Sequence, residues 1–360
     1  MAEAATAVGK SGGKSGGTPA AQIGLLIYPD CQLAAIHGLT DLFRIAGEWA
    51  ALLAAEAAKE GAVPKPAPTL RVTHWRATEA APGRKGGAEG RVECVWDSHP
   101  GAPDAPSPHR LTHVIAPPSL VMPAAMRPMP VSAAWMKARH AEGSVLGSVC
   151  AGAFVLAETG LVDGRRATTH WAFAETLAAR FPAVRVADSA MVLDDGDLMT
   201  AGGILAWTDL GLTLVERLMG PSVMLATARF LLVDPPRRSQ LPFAAFQPRF
   251  DHGDAAVLKA QRRLHADAVE GPGVAALAAT AGLGERTFQR RFAKATGMRP
   301  VEYLQQVRIA RAREALELTR DPVDAIAWAV GYADPAAFRK LFQRITGETP
   351  TAYRRRFGVV

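Results

Sequence analysis

Two groups of side chains in this 360-residue chain have types and spacing suited to chemistry. The first surrounds Cys150. An apolar run, Val145-Leu146-Gly147-Ser148-Val149, leads into Cys150-Ala151-Gly152-Ala153. A strand entering a small-residue turn, with a nucleophile at the tip and a helix behind it, exposes a thiol on a strained backbone. The helix N-terminus predicts a lowered thiol pKa and offers backbone N–H groups to an anion. His170 and Trp171 follow about twenty residues on. A Cys–His pair needs the base within reach and held by a third group, and no orienting acid is evident. Cys150 and His170 therefore read as vestigial catalytic candidates. Together with Ala151, Gly152 and Trp171 they line a predicted ligand crevice at the strand C-termini. Trp171 either holds a cation on its π face or simply packs. Two other readings of Cys150 stay open: a buried small hydrophobe and a redox sensor.

The second group is polar and basic. Glu285, Arg286, Thr287, Gln289, Arg290 and Lys294 form one set; Asp334, Ala336, Ala337, Arg339, Lys340 and Gln343 form another. Arg286, Arg290 and Lys294 recur every four residues, which makes one basic stripe on a helix. Arg and Gln reach guanine and adenine edges in a major groove, while Lys and helix N-termini hold phosphates.

An internal repeat must position both sets. Leu277-Ala278-Ala279-Thr280-Ala281-Gly282 matches Ile326-Ala327-Trp328-Ala329-Val330-Gly331. Phe288, Phe292, Thr296-Gly297, Pro300 and Tyr303 match Phe338, Phe342, Thr346-Gly347, Pro350 and Tyr353. The offset grows from 49 to 50, so the second turn holds one extra residue. Small residues let two helices cross closely, the glycine permits the turn, and the phenylalanines four apart bury together. This is helix-turn-helix geometry. Asp334 with Pro335 makes a good helix start. The helix between the units, about 301–318, should span roughly 27 Å and set the two recognition helices into successive major grooves about 34 Å apart. Its Arg308, Arg311 and Arg313 either touch DNA backbone or are solvated.

Composition bounds the rest. The net charge is +7, yet residues 237–360 alone carry +9, so one basic end is joined to a mildly acidic remainder. That balance favours nucleic acid as a partner of the basic end. Three cysteines, Cys31, Cys94 and Cys150, do not make a disulfide framework and fit a reducing cytoplasm. No apolar run approaches a membrane span. His74, His99, His109 and His113 share no metal-ligand spacing, and no cofactor is expected. Gly9-Lys10-Ser11 ends like a phosphate-binding loop, but Ala4 stands where its leading glycine belongs.

Residues 1–20 read as a disordered tail. Strands are predicted at 22–28, 70–77, 111–116, 145–149 and 198–201, with shorter ones near 92–96, 184–187 and 191–193. Helices are predicted at 39–59, 132–142, 151–159, 172–180 and 204–219. Alternation of this kind implies a flavodoxin-like α/β domain, its mostly parallel sheet covered by helices on both faces. The expected organisation is an α/β domain at 21–232, a proline-rich linker at 233–253, and an all-α domain with two helix-turn-helix units at 254–360.

The C-terminal pattern, over about residues 255–357, resembles the DNA-binding domain of the AraC/XylS family of transcription activators. The elbow at Cys150, the segment Ala167-Thr168-Thr169-His170-Trp171, the run Asp194-Asp195-Gly196-Asp197, Thr200-Ala201-Gly202-Gly203 and Asp209 resemble the PfpI/class I glutamine-amidotransferase-like superfamily. The two together resemble the GlxA-type subgroup of AraC regulators. The hydrolytic branch of that superfamily has His directly after the nucleophile, where this chain has Ala151. It also supplies an early Glu, and this chain has no carboxylate between Asp30 and Asp41. The resemblance thus implies a non-enzymatic regulator of promoter DNA, with RNA polymerase as a partner. It also implies a small effector such as an amino acid or a betaine-like amine, and it makes a homodimer plausible. A DNA-tethered cysteine hydrolase using Cys150 is the alternative.

Overall fold

A computed structural model of the chain describes residues 21–60, 67–79, 90–99, 110–236 and 239–359. The expected tail, the Gly9-Lys10-Ser11 segment, His109 and most of the loops expected at 61–68 and 78–110 lie outside the described residues. The chain divides into two compact units, residues 1–238 and 239–360.

The first unit runs β1 (Ala21–Ile27), α1 (Leu33–Lys59), β2 (Leu70–Thr78), β3 (Arg91–Asp97), β4 (His113–Ala116), α2 (Pro130–Ala141), β5 (Val145–Val149) and α3 (Gly152–Ala157). It continues through β6 (Arg166–Ala167), α4 (Ala174–Arg180), β7 (Arg185–Val186), β8 (Val192–Asp194), β9 (Leu198–Ala201), α5 (Trp207–Met219) and α6 (Pro221–Phe230). Seven strands form one sheet in the order β3-β2-β1-β4-β5-β9-β8. The five central strands are parallel, and β3 and β8 close the edges antiparallel. The parallel strands therefore run in flavodoxin-like order, and the winding reverses between β1 and β4. β6 and β7 pair separately.

Strands buried on both faces read as continuous apolar runs, as β1 and β4 do. On β2, neighbouring residues point to opposite faces. His74 meets Thr40 and His37 of α1, while Trp75 packs on Trp135 of α2, with ring centroids 5.3 Å apart. Helix α1 starts at Leu33, six residues before the predicted start. Gly38, in the added stretch, serves close packing: a Cβ there would lie 2.4 Å from the Trp207 ring of α5. Helix α6 was not anticipated, although Gly220 at φ 91° followed by Pro221 at the first helical position is a start signal.

The second unit holds α7 (Ala255–Ala266), α8 (Val274–Ala281), α9 (Glu285–Thr296), α10 (Pro300–Leu318), α11 (Val323–Ala329), α12 (Pro335–Thr346) and α13 (Pro350–Phe357). Residues 239–253, expected as linker, lie in this unit. Phe246 stacks edge-on to Tyr303, Phe243 does so to Phe357, and Gln240 is buried. Aromatic side chains between the prolines give the segment apolar surface to bury, which proline content alone concealed.

Two separate apolar cores result. One gathers Leu277, Phe288, Phe292, Tyr303 and Val307; the other gathers Ile309, Ile326, Phe338, Phe342 and Tyr353. Phe292 meets Tyr303 at 5.4 Å and 86°, and Phe342 meets Tyr353 at 5.4 Å and 81°. The sequence repeat is thus a geometric repeat, and α10 supplies residues to both halves.

Candidate nucleic-acid interface and thiol elbow

In each half of the C-terminal unit a short helix, a tight turn and a longer helix form one helix-turn-helix. The pairs are α8 with α9 and α11 with α12. Gly282 and Gly331 carry the turns at φ 67° and 93°. Burial of Phe288 and Phe292 fixes how α9 is rotated. Glu285, Arg286, Thr287, Gln289, Arg290 and Lys294 are then all exposed. Burial of Phe338 and Phe342 likewise exposes Asp334, Ala336, Ala337, Arg339, Lys340 and Gln343 on α12. Asp334 has a local duty, because its carboxylate accepts from the N–H groups of Ala336 at 2.8 Å and Ala337 at 3.2 Å, capping α12. Arg339 is ion-paired with Asp324 of α11. Arg344, one helical turn beyond Lys340 and also exposed, escaped the sequence reading. The repeat offset would have found it, since it is the counterpart of Lys294.

The arginines of α10 are tied to the protein's own backbone rather than simply solvated. Arg308 donates from Nε to the Ala268 carbonyl at 2.7 Å and from Nη2 to the Val269 carbonyl at 2.9 Å. Arg311 donates to the His265 carbonyl. Arg313 is buried and donates to the carbonyls of Ala244 and Leu241, its guanidinium 5.4 Å from the Tyr353 ring centroid. Their charge completes hydrogen bonding at the end of α7 and along residues 241–244.

At the N-terminal unit's elbow, Cys150 has φ 53°, the strained left-handed region for a non-glycine residue. Three neighbours hold it. Cys150 N–H donates to the Ala201 carbonyl at 2.8 Å, and the Thr169 hydroxyl donates to the Cys150 carbonyl at 2.8 Å. Gly152 lets α3 approach β4: a Cβ there would stand 2.4 Å from the Ala116 carbonyl oxygen. Thr168 joins in, its N–H donating to Thr200 Oγ1 at 2.9 Å. Thr168, Thr169 and Thr200 were not singled out as site residues, although they stand in the two motifs that flank the turn.

The geometry of a nucleophile elbow is present, but the predicted thiol chemistry is reversed. Cys150 is 1% exposed. Burial pushes its pKa up to about 12, and the Ala151 N–H, which favours the thiolate, only partly offsets this. Helix α3 has six residues, a weak dipole against that desolvation. Tyr28, whose hydroxyl donates to the Pro117 carbonyl at 2.5 Å, is buried in the same core. His170 is half-buried, and its Nδ1 accepts from Ala172 N–H at 3.1 Å, capping the short turn Trp171–Phe173. Its ring lies 5.3 Å from Trp171 and 5.0 Å from Phe173, and burial lowers its pKa. Ala151 and Gly152 are buried with Cys150, so of the five predicted ligand residues only His170 and Trp171 reach solvent.

The acidic run nearby is an ion-pair cluster. Arg165 bridges Asp195 and Asp197, both at 2.7 Å, and His140 Nε2 lies 2.8 Å from Asp197. Arg165 holds the Asp197 carboxyl well below the usual range. Among the described residues no group of three or more His, Cys, Asp or Glu could hold a metal ion. No helix among them is long and apolar enough to cross a membrane.

A doubly wound α/β unit carrying an elbow with a buried thiol, on one chain with two helix-turn-helix units, defines a DNA-binding transcription regulator. Comparison with known proteins agrees. The helix-turn-helix domain profile matches residues 277–356, and the DJ-1/PfpI family profile matches residues 118–217. The chain is similar to the HTH-type transcriptional regulator GlxA of Rhizobium meliloti (strain 1021), 31% identical over 220 residues, covering 60% of this chain and 67% of that protein. It is similar to the HTH-type transcriptional regulator ArgR of Pseudomonas aeruginosa, 29% identical over 212 residues, covering 58% of this chain and 63% of that one. A shorter stretch is similar to the isonitrile hydratase of Pseudomonas putida, 42% identical over 86 residues, covering 24% of this chain and 36% of the enzyme. The chain belongs to the AraC family of transcription regulators, in its GlxA-type branch. It is a regulator rather than an enzyme.

Proposed function

We propose that this regulator reads promoter DNA with α9 and α12 and is governed by a small molecule bound, without turnover, to the α/β domain at 21–232. The observation that carries the reading is the pair of exposed polar faces on α9 and α12, each fixed by its own buried phenylalanine pair. Glu285, Arg286, Thr287, Gln289, Arg290 and Lys294 meet one groove segment; Asp334, Ala336, Ala337, Arg339, Lys340 and Gln343 meet the next. The reader at 254–360 engages RNA polymerase beside its site and activates transcription in the cytoplasm, and the α/β domain pairs two copies of the chain.

The effector crevice lies outside the C-terminal ends of β1, β4, β5 and β9, where open α/β sheets bind ligands. The segments that follow β1, β4 and β9 expose Leu33 at the start of α1, Leu120, Met122, Ile204 and Leu205, apolar surface suited to a small organic ligand. His170 and Trp171 offer a neutral imidazole and an aromatic face, which suits an amino acid or a betaine-like amine. Cys150, Ala151 and Gly152 form the buried wall behind them. Burial of the thiol disfavours a hydrolytic role.

The test is selection of genomic fragments by the purified chain at near-physiological salt. One compact site with two short elements about a helical turn apart supports the reading. Diffuse binding without a motif overturns it. Amines and amino acids metabolised by the neighbouring genes are then tested for a change in affinity for that site, since an effector acts only by binding two states unequally.

A further inference from the structure

The two helix-turn-helix units have separate apolar cores, and a single helix, α10, enters both. A helix alone leaves bending and twisting between the units soft. One side chain of α10 reaches from one unit to the other. Arg308 binds the carbonyls of Ala268 and Val269, in the loop between α7 and α8 of the first unit. Its guanidinium also lies 5.2 Å from the ring centroid of Tyr332, in the turn between α11 and α12 of the second. Tyr332 is held in turn against Phe338 at the start of α12, with ring centroids 5.5 Å apart.

The turn glycines report the same contact. A Cβ on Gly282 meets nothing within 4 Å, whereas one on Gly331 would lie 2.4 Å from the Val269 carbonyl oxygen and 2.9 Å from Arg308 Nη2. The second turn is seated directly on the first unit. The extra residue of the second turn lies in this seat, where Gly331-Tyr332-Ala333-Asp334 replaces Gly282-Leu283-Gly284.

We propose that Arg308, with Gly331 and Tyr332, is a positioning clamp that fixes the spacing and rotation between the two recognition helices. The regulator then accepts one separation of its two DNA elements. Arg308 does not read bases; it determines which pairs of base elements can be read together. The inference rests on the reading that both α9 and α12 bind DNA.

The experiment uses the full chain and the duplex that the wild type selects from a randomised library. Single base pairs are inserted or deleted between its two elements, each moving them by about 3.4 Å and roughly 35°. The wild type should lose affinity on the order of tenfold per step. Arg308→Ala should bind the parent duplex more weakly but lose only about twofold to threefold per step, with its helical signal retained. Arg308→Lys keeps the charge but not the planar fork, and should behave alike. Gly331→Ala should move the preferred spacing. A folded Arg308 variant with the wild-type spacing profile would overturn the clamp. So would loss of fold in all three variants, which would make it a fold determinant only. Failure of the wild type to select any two-element duplex would instead overturn the underlying reading of DNA contact.

Discussion

Arg339 of α12 is ion-paired with Asp324 of α11, across the second helix-turn-helix. Both side chains are about half exposed, so the pair is worth little by itself and can open when a better partner arrives. A guanine edge or a phosphate is such a partner. Arg339→Ala or Arg290→Ala should cost about 1–3 kcal/mol on the selected duplex and much less on random DNA if these side chains read bases. Titrating both duplexes at one salt concentration decides it: equal losses would make them phosphate contacts.

Removing the carboxylate should act oppositely. Asp324→Asn frees Arg339 and deletes a negative charge near DNA, so affinity for random duplex should rise about twofold to tenfold, most at low salt. Unchanged affinity at 50 mM salt would mean that Arg339 stays away from the DNA backbone.

Each reader has its own core, so damage to one should stay local. Phe342→Ala should cost about 3–5 kcal/mol and melt α11 to α13, while the core around Phe292 survives. Amide exchange on the variant would show loss of protection confined to the second half of α10, which packs in that core, and the residues beyond it. Full protection there would contradict the burial of Phe342.

The buried Cys150 thiol, with its pKa pushed up to about 12, should resist alkylation at pH 8. Peptide-resolved labelling should mark Cys94, which is partly exposed, well before Cys150, by on the order of a hundredfold in rate. Rapid modification of Cys150 would revive nucleophilic and redox roles for the elbow.

Burial pulls His74 and His113 down to about 4. The unfolded chain therefore binds more protons than the folded one below pH about 6.5. Stability from these two neutral rings is complete above that pH and is lost as pH falls towards 4, by up to ~3 kcal/mol each. NMR titration should find both rings neutral at pH 5. A ring that titrates near 6.5 would show that it is not buried in the neutral form.

Much of this was legible in sequence because it is encoded at short range. Phenylalanines four apart, a glycine turn and a second copy at offset 49 to 50 specify both readers and their rotation. Strand, small-residue turn and helix around Cys150 specify a strained elbow, though not the burial of its thiol. What stayed hidden depends on distant partners. The Cys150 pKa is set by desolvation in a core that includes Tyr28 and Ala116, neither of which is adjacent in sequence. Arg308 finds its acceptors 40 and 39 residues upstream, so no local pattern separates it from a solvated arginine. The first turns of α1 were missed, and there Trp207, far along the chain, occupies the space that a Cβ on Gly38 would need.

The difference between Gly282 and Gly331 also bears on how such a chain can be re-engineered. The first reader presents its turn to open space and can be exchanged for another of different specificity as a self-contained cartridge. The second is a fitted part. A graft there must bring a turn that leaves room for the Val269 carbonyl and an aromatic ring for the arginine beneath it. Two copies of the first reader in tandem would fold as individuals yet have no agreed distance between them.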